Sequence, residues 1–264
     1  MRTRWLVPLA FLLVSYYRVF GWLYERFTAP DTFYGHGFLV PLVSGYLLWQ
    51  KRSHLTEIPA IDLVGAFCAL TGILVHMLGI WASIYGLSAW ALPLIIYGGL
   101  RVIAGKNANY ALFPVILLVF MLPLPVEFLN AATVPLRETV TAVAVEMARM
   151  VDIPATREGF RILLPEGVLS IDNPCSGLRS LIAFTAIGSV MAYTLNRNIF
   201  VKLLVVVNVL FVALFVNSLR VVSLTLIAYY NGVAAVAGFW HTGTGYIAYA
   251  LALGLCAVVY RRAR

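Results

Sequence analysis

The chain has 264 residues, of which 62% are hydrophobic and only 11% are charged. Soluble globular proteins are about half apolar and a quarter charged, whereas the mean hydropathy here is +0.90. These values exclude a soluble enzyme, a disordered chain and a disulfide scaffold, and they predict an all-α polytopic membrane protein. The net charge is +8, but the basic residues are scattered as short anchors between apolar stretches, which argues against nucleic-acid binding.

Apolar stretches along the chain predict about eight transmembrane helices. The first has no small-residue cleavage site after it, so we expect a retained helix and not a removed signal peptide. The second is short, at about 21 Å, which leaves a re-entrant segment as its alternative. The predicted spans are Trp5–Tyr24, Gly37–Gln50, Ile61–Ile80, Ile84–Leu100, Tyr110–Val126, Leu178–Leu195, Phe200–Val216 or beyond, and Tyr246–Tyr260.

The distribution of charge predicts the orientation. Eight crossings with the N-terminus inside place 11 basic and 2 acidic residues on the cytoplasmic side, and 8 basic and 9 acidic residues on the outer side. An excess of Lys and Arg on the cytoplasmic side is the general rule. If Gly37–Gln50 did not cross, the later basic loops would face outward. We therefore expect one integral membrane domain, residues 1–264, with both termini in the cytoplasm.

Residues 127–177 form the one long predicted excursion, and they hold 7 of the 11 acidic residues. Their first part predicts an outer amphipathic helix, which lies either at the membrane interface or packed over the bundle. A short β-hairpin, Phe160–Leu164 and Val168–Ile171, follows. The predicted apolar face of the helix comprises Leu136, Val140, Val143, Ala144, Met147, Met150 and Val151, opposite Arg137, Glu138, Thr141 and Arg149.

The hairpin leads to Cys175, the first candidate for chemistry. The preceding residues predict a helix start, with Asn173 as N-cap and Pro174 at the first helical position. In that first turn the helix dipole and Arg179 would favour a thiolate. The two other cysteines fall within predicted spans, so Cys175 has no obvious disulfide partner. Its alternative role is that of a small apolar filler.

Two further candidates share the expected depth of Cys175. Counted from the basic anchors at 1.5 Å per helical residue, Cys175, Arg220 and His241 lie about 33, 27 and 30 Å across the membrane. All three therefore fall near the outer interface and can share one site. A snorkelling interface anchor is the alternative for Arg220, and a structural histidine in the loop before the last span is the alternative for His241.

These three residue types suit amide cleavage through a thioacyl intermediate. Cysteine would act as nucleophile, histidine as general acid or base, and arginine as stabiliser of an oxyanion. The motifs of zinc, rhomboid-type serine and aspartyl membrane proteases do not occur in the sequence. The four histidines lie in different segments without ligand spacing, so we expect no metal and no cofactor.

Four motifs in chain order resemble the exosortase/archaeosortase family of membrane transpeptidases, most closely the bacterial exosortases. Asp31–Pro41 is similar to the family's D-x-x-Y-x-H-G-F run, and Cys175–Ser180 to its cysteine motif. Asn217–Arg220 matches N-x-x-R, and His241 falls where the family has its histidine. The resemblance leaves two roles open for His36 within the first motif, namely loop closure and substrate contact.

The resemblance implies a site in which Cys175 is the nucleophile, His241 the acid/base and Arg220 the oxyanion or substrate stabiliser. It implies, as partners, exported proteins with a C-terminal sorting signal: a Pro-Glu-Pro type motif, a transmembrane helix and a basic tail. It also implies the cytoplasmic (inner) membrane, with the site facing the periplasm and membrane lipid around the protein.

Two other functions remain open from the residues alone. In the first, a non-enzymatic transport or binding protein uses Arg220 and His241 to hold an anionic ligand. In the second, a thiol acyltransferase acts on lipid through the same nucleophile. A function that thiol alkylation leaves unchanged would favour the transport or binding protein. Analysis of the reaction product would identify the acyltransferase.

Overall fold

The computed structural model describes residues 6–30, 32–55, 62–236 and 238–264, which form two compact units, Met1–Leu124 and Pro125–Arg264. The protein is mainly helical. Its α-helices are α1 (Leu6–Ser15), α2 (Tyr17–Thr28), α3 (Leu39–Lys51), α4 (Leu63–Trp81), α5 (Tyr85–Ala104), α6 (Leu112–Leu117), α7 (Val126–Arg149), α8 (Leu178–Thr194), α9 (Ile199–Asn231) and α10 (Phe239–Ala263). Its strands are β1 (Thr156–Glu158), β2 (Arg161–Leu164) and β3 (Gly167–Ser170).

Four helical segments of the described ranges are long and apolar enough to cross a membrane, and α8 is a shorter apolar helix. The predicted number of eight is not confirmed. The first predicted span is divided at Tyr16 into α1 and α2, and its first residue, Trp5, lies outside the described residues, as does Ile61 of the third. The four segments are Leu63–Trp81, Tyr85–Met121, Ile199–Asn231 and Phe239–Ala263.

Helices α4 and α5 of the first unit pack closely along small residues. A Cβ added to Gly79 of α4 would lie 2.7 Å from the backbone nitrogen of Ser88 on α5, which only glycine permits. Small residues allow such close backbone approach between membrane helices. A polar contact joins the same helices, because the Ser88 hydroxyl of α5 lies 2.5 Å from Nδ1 of His76 on α4. Tyr16, between α1 and α2, adds a second contact, since its hydroxyl donates to the Ser88 carbonyl.

The turn that contains His36 is closed by two long-range hydrogen bonds within the same unit. Nε2 of His36 lies 3.0 Å from the Phe120 carbonyl oxygen, and since a carbonyl only accepts, Nε2 carries the proton. The Leu124 N–H donates to the Tyr34 hydroxyl at 2.9 Å. Burial lowers the pKa of His36 below its usual value, although the bond to Phe120 opposes that shift. This geometry favours loop closure as the role of His36.

In the second unit, a three-stranded antiparallel sheet in the order β1-β2-β3 packs against α7 and the end of α9. The predicted hairpin is confirmed as β2 and β3, and β1 is an additional strand. The predicted apolar face of α7 is partly wrong, because Thr141 is fully buried while Met147 and Met150 are exposed. The buried stripe continues instead through Val145 and Ala148, since these residues face the sheet and α9.

Helix α9 takes part in two separate apolar cores. Its first half, up to Val216, packs with α8 and α10 around Phe184 and Cys256. Its second half, from Val221, packs with α7 and the sheet. At 33 residues the helix is about 50 Å long, whereas a hydrocarbon core is about 30 Å thick. The length of α9 therefore exceeds what a single crossing needs.

Asp62 offers a test of the α4 and α5 packing. Its Oδ1 caps α4 by accepting from the Gly65 N–H at 2.7 Å, and its Oδ2 lies 2.9 Å from Nη2 of Arg101 on α5. At pH 7 we expect Asp62→Asn, which keeps the cap acceptor but loses the ion pair, to lower the melting temperature in detergent, and Asp62→Ala to lower it further.

The ion pair also predicts a pH dependence. The Arg101 hydrogen bond, followed by the Gly65 N–H, holds the pKa of Asp62 below its usual value. This contribution is therefore complete above the unfolded pKa of about 4 and is lost as the pH falls through the folded pKa. The melting difference between the wild type and Asp62→Asn should shrink there, and identical melting of all three proteins at pH 7 would contradict the assignment.

Candidate active site

Arg137 of α7 holds the segment that runs from the hairpin to Cys175. Its Nε donates to the Ile171 carbonyl at 2.7 Å and its Nη1 to Oδ1 of Asn173 at 3.3 Å. Its guanidinium also lies 4.0 Å from the centre of the Phe160 ring. The sequence pattern predicted Arg137 only as part of a polar face. Its partners are 34 and 36 residues away, so no local signal could have shown this role.

Cys175 ends a 3-10 turn, Asn173–Cys175, and α8 begins only at Leu178. The predicted N-cap role of Asn173 is therefore wrong, because its side chain accepts from Arg137 and the cap position of the turn falls on Asp172. Gly177, with φ of +86°, separates the turn from α8. Cys175 is only 5% exposed, and its N–H donates to the Asp172 carbonyl at 2.9 Å.

Asn217 of α9 attaches this turn to the rest of the unit. Its Nδ2 donates to the Cys175 carbonyl oxygen at 3.0 Å, and the residue is buried. A Cβ on Gly177 would lie 2.9 Å from the same Nδ2, so glycine is required there both by its positive φ and by the close approach of Asn217. The sequence identified Asn217 as part of a motif but gave it no role. In the structure it positions the Cys175 turn.

Arg220 lies one helical turn after Asn217 and contacts His241 directly. Its Nη2 is 3.2 Å from Nε2 of His241 and also donates to the His241 carbonyl at 3.3 Å. A guanidinium has no acceptor, so Nε2 accepts the hydrogen bond and carries no proton in this contact. His241 lies in the first turn of α10, which begins at Phe239, and not in the loop that the sequence predicted.

Two arginine side chains near these residues have an unsatisfied nitrogen. The Nε atoms of Arg179 and Arg220 are buried and have no hydrogen-bond partner among the described residues. An unsatisfied buried donor carries a desolvation cost of about 1–3 kcal/mol, and more when the group is charged. Such donors are suited to an incoming anionic or partly negative oxygen.

The structure thus joins two of the three predicted site residues, Arg220 and His241, by direct contact. It links Cys175 to the same helix through Asn217, three residues before Arg220. The three cysteines of the chain form no disulfide bonds. Asn217 and Arg220 lie on the stretch of α9 between its two apolar cores, after Val216 and before Val221.

This set supplies a thiol, an imidazole with an unprotonated Nε2, and a guanidinium with N–H groups to donate. A thiol can attack an acyl carbon, an imidazole can carry its proton, and a guanidinium can stabilise the resulting negative charge. Together these three groups are chemically able to support acyl transfer through sulfur.

Comparison with known proteins gives one family match. No curated protein and no solved structure matches the chain. The family model described as Transmembrane exosortase (Exosortase_EpsH) matches residues 22–258, which include Cys175, Arg220 and His241. The match covers most of the chain, and it agrees with the apolar helices that mark a membrane protein. The chain therefore belongs to the transmembrane exosortase family.

Proposed function

We propose that the protein is a membrane cysteine transpeptidase or protease that cleaves the C-terminal sorting signal of exported proteins. Membership of the exosortase family supports a membrane sorting transpeptidase in general. The observation that carries the residue assignment is the contact of Arg220 with His241 on the helix that also holds the Cys175 turn through Asn217. Cys175 is the proposed nucleophile, His241 the acid/base and Arg220 the oxyanion stabiliser.

The proposed reaction has two halves. The Cys175 sulfur attacks the scissile carbonyl carbon as its proton passes to His241, and Arg220 stabilises the oxyanion. The C–N bond then breaks, His241 protonates the leaving amine, and a thioacyl-enzyme remains. An acceptor nucleophile or water attacks this thioester in the second half and releases Cys175.

Arg220 couples these events in our account. In the resting arrangement, Nη2 of Arg220 donates a hydrogen bond to Nε2 of His241. When Nδ1 already carries a proton, Nε2 is the atom that would accept the proton of the thiol. A shift of the guanidinium toward the developing oxyanion frees Nε2 to accept that proton. The buried Nε of Arg220 has no partner among the described residues, so it provides a further N–H for the oxyanion.

The proposed topology places this chemistry at the outer face of the cytoplasmic membrane. It keeps about eight crossings, both termini in the cytoplasm and the site facing the periplasm, as the charge distribution favours. The length of α9 supports this arrangement, since Arg220 lies about 30 Å from the start of the helix at Ile199. The proposed substrates carry a Pro-Glu-Pro type motif, a transmembrane helix and a basic tail.

Replacement of the nucleophile is the first test. Co-expression with a reporter that ends in such a signal should give tail loss with the wild type and none with Cys175→Ala, because the other two cysteines lie within α4 and α10. Gel shift and mass spectrometry would measure the tail loss, with immunoblots to show equal protein levels. Undiminished cleavage by Cys175→Ala would contradict the assignment, and the absence of cleavage together with anion binding that thiol alkylation leaves unchanged would favour an anion-binding protein.

Arg220→Lys tests the oxyanion assignment. A lysine keeps the charge but has neither the guanidinium fork nor the additional N–H, so we expect kcat to fall about 100-fold, within the range seen when one oxyanion donor is removed. Arg262→Lys, in the last turn of α10, is the matched control and should retain wild-type activity. Equal kcat for both variants would exclude a role for Arg220 in the chemical step.

Gly177→Ala tests the position of the Cys175 turn. Its φ of +86° and the nearby Asn217 side chain leave no room for a Cβ, and a non-glycine residue in the left-handed region costs about 1–2 kcal/mol. We expect kcat/KM to fall at least tenfold. Gly254→Ala, in α10 with open space around it, should behave as the wild type. A fully active Gly177→Ala enzyme would show that this geometry is not needed.

A further inference from the structure

Strand β3 is an edge strand of the small sheet, and it leads directly toward Cys175. The sheet order is β1-β2-β3, and β3 pairs only with β2. Edge strands present unpaired backbone N–H and C=O groups that can bind another extended chain. The chain passes from the end of β3 at Ser170 to Cys175 in five residues.

The register identifies which groups face the open edge. Phe160 and Ile171 are directly opposite by the β2–β3 register, and the Ile171 N–H donates to the Phe160 carbonyl. Because hydrogen-bonded and non-bonded pairs alternate in an antiparallel ladder, Leu169 also bonds to β2. The N–H and C=O groups of Val168 and Ser170 therefore point away from β2, toward the open edge.

These edge groups are available in the described part of the chain. No backbone hydrogen bond from another described element reaches Val168 or Ser170. Val233 packs near Gly167, at the end of the strand far from Cys175. Val168 as a residue is 50% exposed and Ser170 is exposed, so solvent reaches this part of the strand.

The end of β3 is also fixed relative to the nucleophile. Arg137 binds the Ile171 carbonyl and the Asn173 side chain, and Asn217 binds the Cys175 carbonyl. A chain paired with β3 would therefore approach the Cys175 turn in a defined direction. Since an extended chain rises about 3.3 Å per residue, a segment paired at Ser170 needs no more than about five further residues to reach Cys175.

We propose that the edge of β3 binds the substrate polypeptide as an added extended strand and guides its scissile bond to Cys175. This inference rests on the proposed function. The occupant is a peptide segment because backbone N–H and C=O groups alternate along the edge, and only an extended backbone matches four such groups at strand spacing. Recognition of this kind depends little on the side chains of the paired residues.

Ser170→Pro tests the proposal. Proline removes the outward N–H of Ser170 and places its ring at the edge, while the inward bonds of Leu169 and Ile171 to β2 remain. We expect kcat/KM for the reporter segment to fall at least tenfold, with the rate of Cys175 alkylation by a small reagent unchanged. Ser170→Ala loses the hydroxyl and its bond to Asp172 but keeps the backbone N–H, so an equal loss of kcat/KM in Ser170→Ala would also overturn the proposal. Wild-type kcat/KM in Ser170→Pro would overturn the proposal.

A second measurement leaves the enzyme unchanged and covers the case in which Ser170→Pro does not fold. Synthetic substrate segments with a single N-methyl group at successive positions would be cleaved by the wild-type protein. We expect an alternating loss of kcat/KM, because every second N–H of the segment faces β3. Uniform tolerance of N-methylation would overturn the proposal while Cys175-dependent cleavage still stood. If the wild type cleaved no segment, both the proposed function and this inference would fail.

Discussion

The candidate site depends on the continuity of α9. This 33-residue helix contributes to two apolar cores that share no other long element, one with α8 and α10 and one with α7 and the sheet. Asn217 and Arg220 lie on the short stretch between those cores. Each core anchors its half of the helix by apolar burial, and this fixes the position of the polar side chains between them. The Cys175 turn and His241 both attach to this stretch.

The electrostatics of the site follow from this placement. A guanidinium in an apolar setting is costly unless it pairs, and the pairing found here is with a neutral imidazole, which does not cancel its charge. The buried Nε of Arg220, and that of Arg179 near the start of α8, have no partner among the described residues. The unit thus retains positive charge and unsatisfied donors on the helix that holds the Cys175 turn and at the start of α8. In our proposal a developing oxyanion meets these donors, and this makes the transition state better bound than the resting enzyme.

The sequence identified the candidate residues Cys175, Arg220 and His241, but it could not predict the side chains that hold the Cys175 turn in place. The predicted hairpin before Cys175 is confirmed. It could be predicted because period-two patterning and the Pro-Glu-Gly turn are local signals in the sequence. The predicted helix start at Asn173 is wrong for two reasons. The Asn173 side chain accepts a hydrogen bond from Arg137, 36 residues earlier in the chain, and Gly177 adopts a left-handed conformation before α8 begins. The apolar face of α7 is partly wrong for a different, local reason: the Thr141 hydroxyl donates to the Arg137 carbonyl four residues earlier, so Thr141 is buried although it is polar. Contacts over more than 30 residues leave no periodic signal.

The central claim is that Cys175 carries the acyl group of the substrate. Its most direct test is to incubate purified protein with a sorting-signal peptide in the absence of an amine acceptor, quench with acid, and map the modified residue by mass spectrometry. We predict a thioester between the new carboxyl end of the peptide and Cys175, which hydroxylamine cleaves to release the peptide as a hydroxamate. Two results would contradict the role of Cys175. One is an adduct of the cleaved peptide on another residue, and the other is release of the cleaved peptide with no modified Cys175 under rapid quenching.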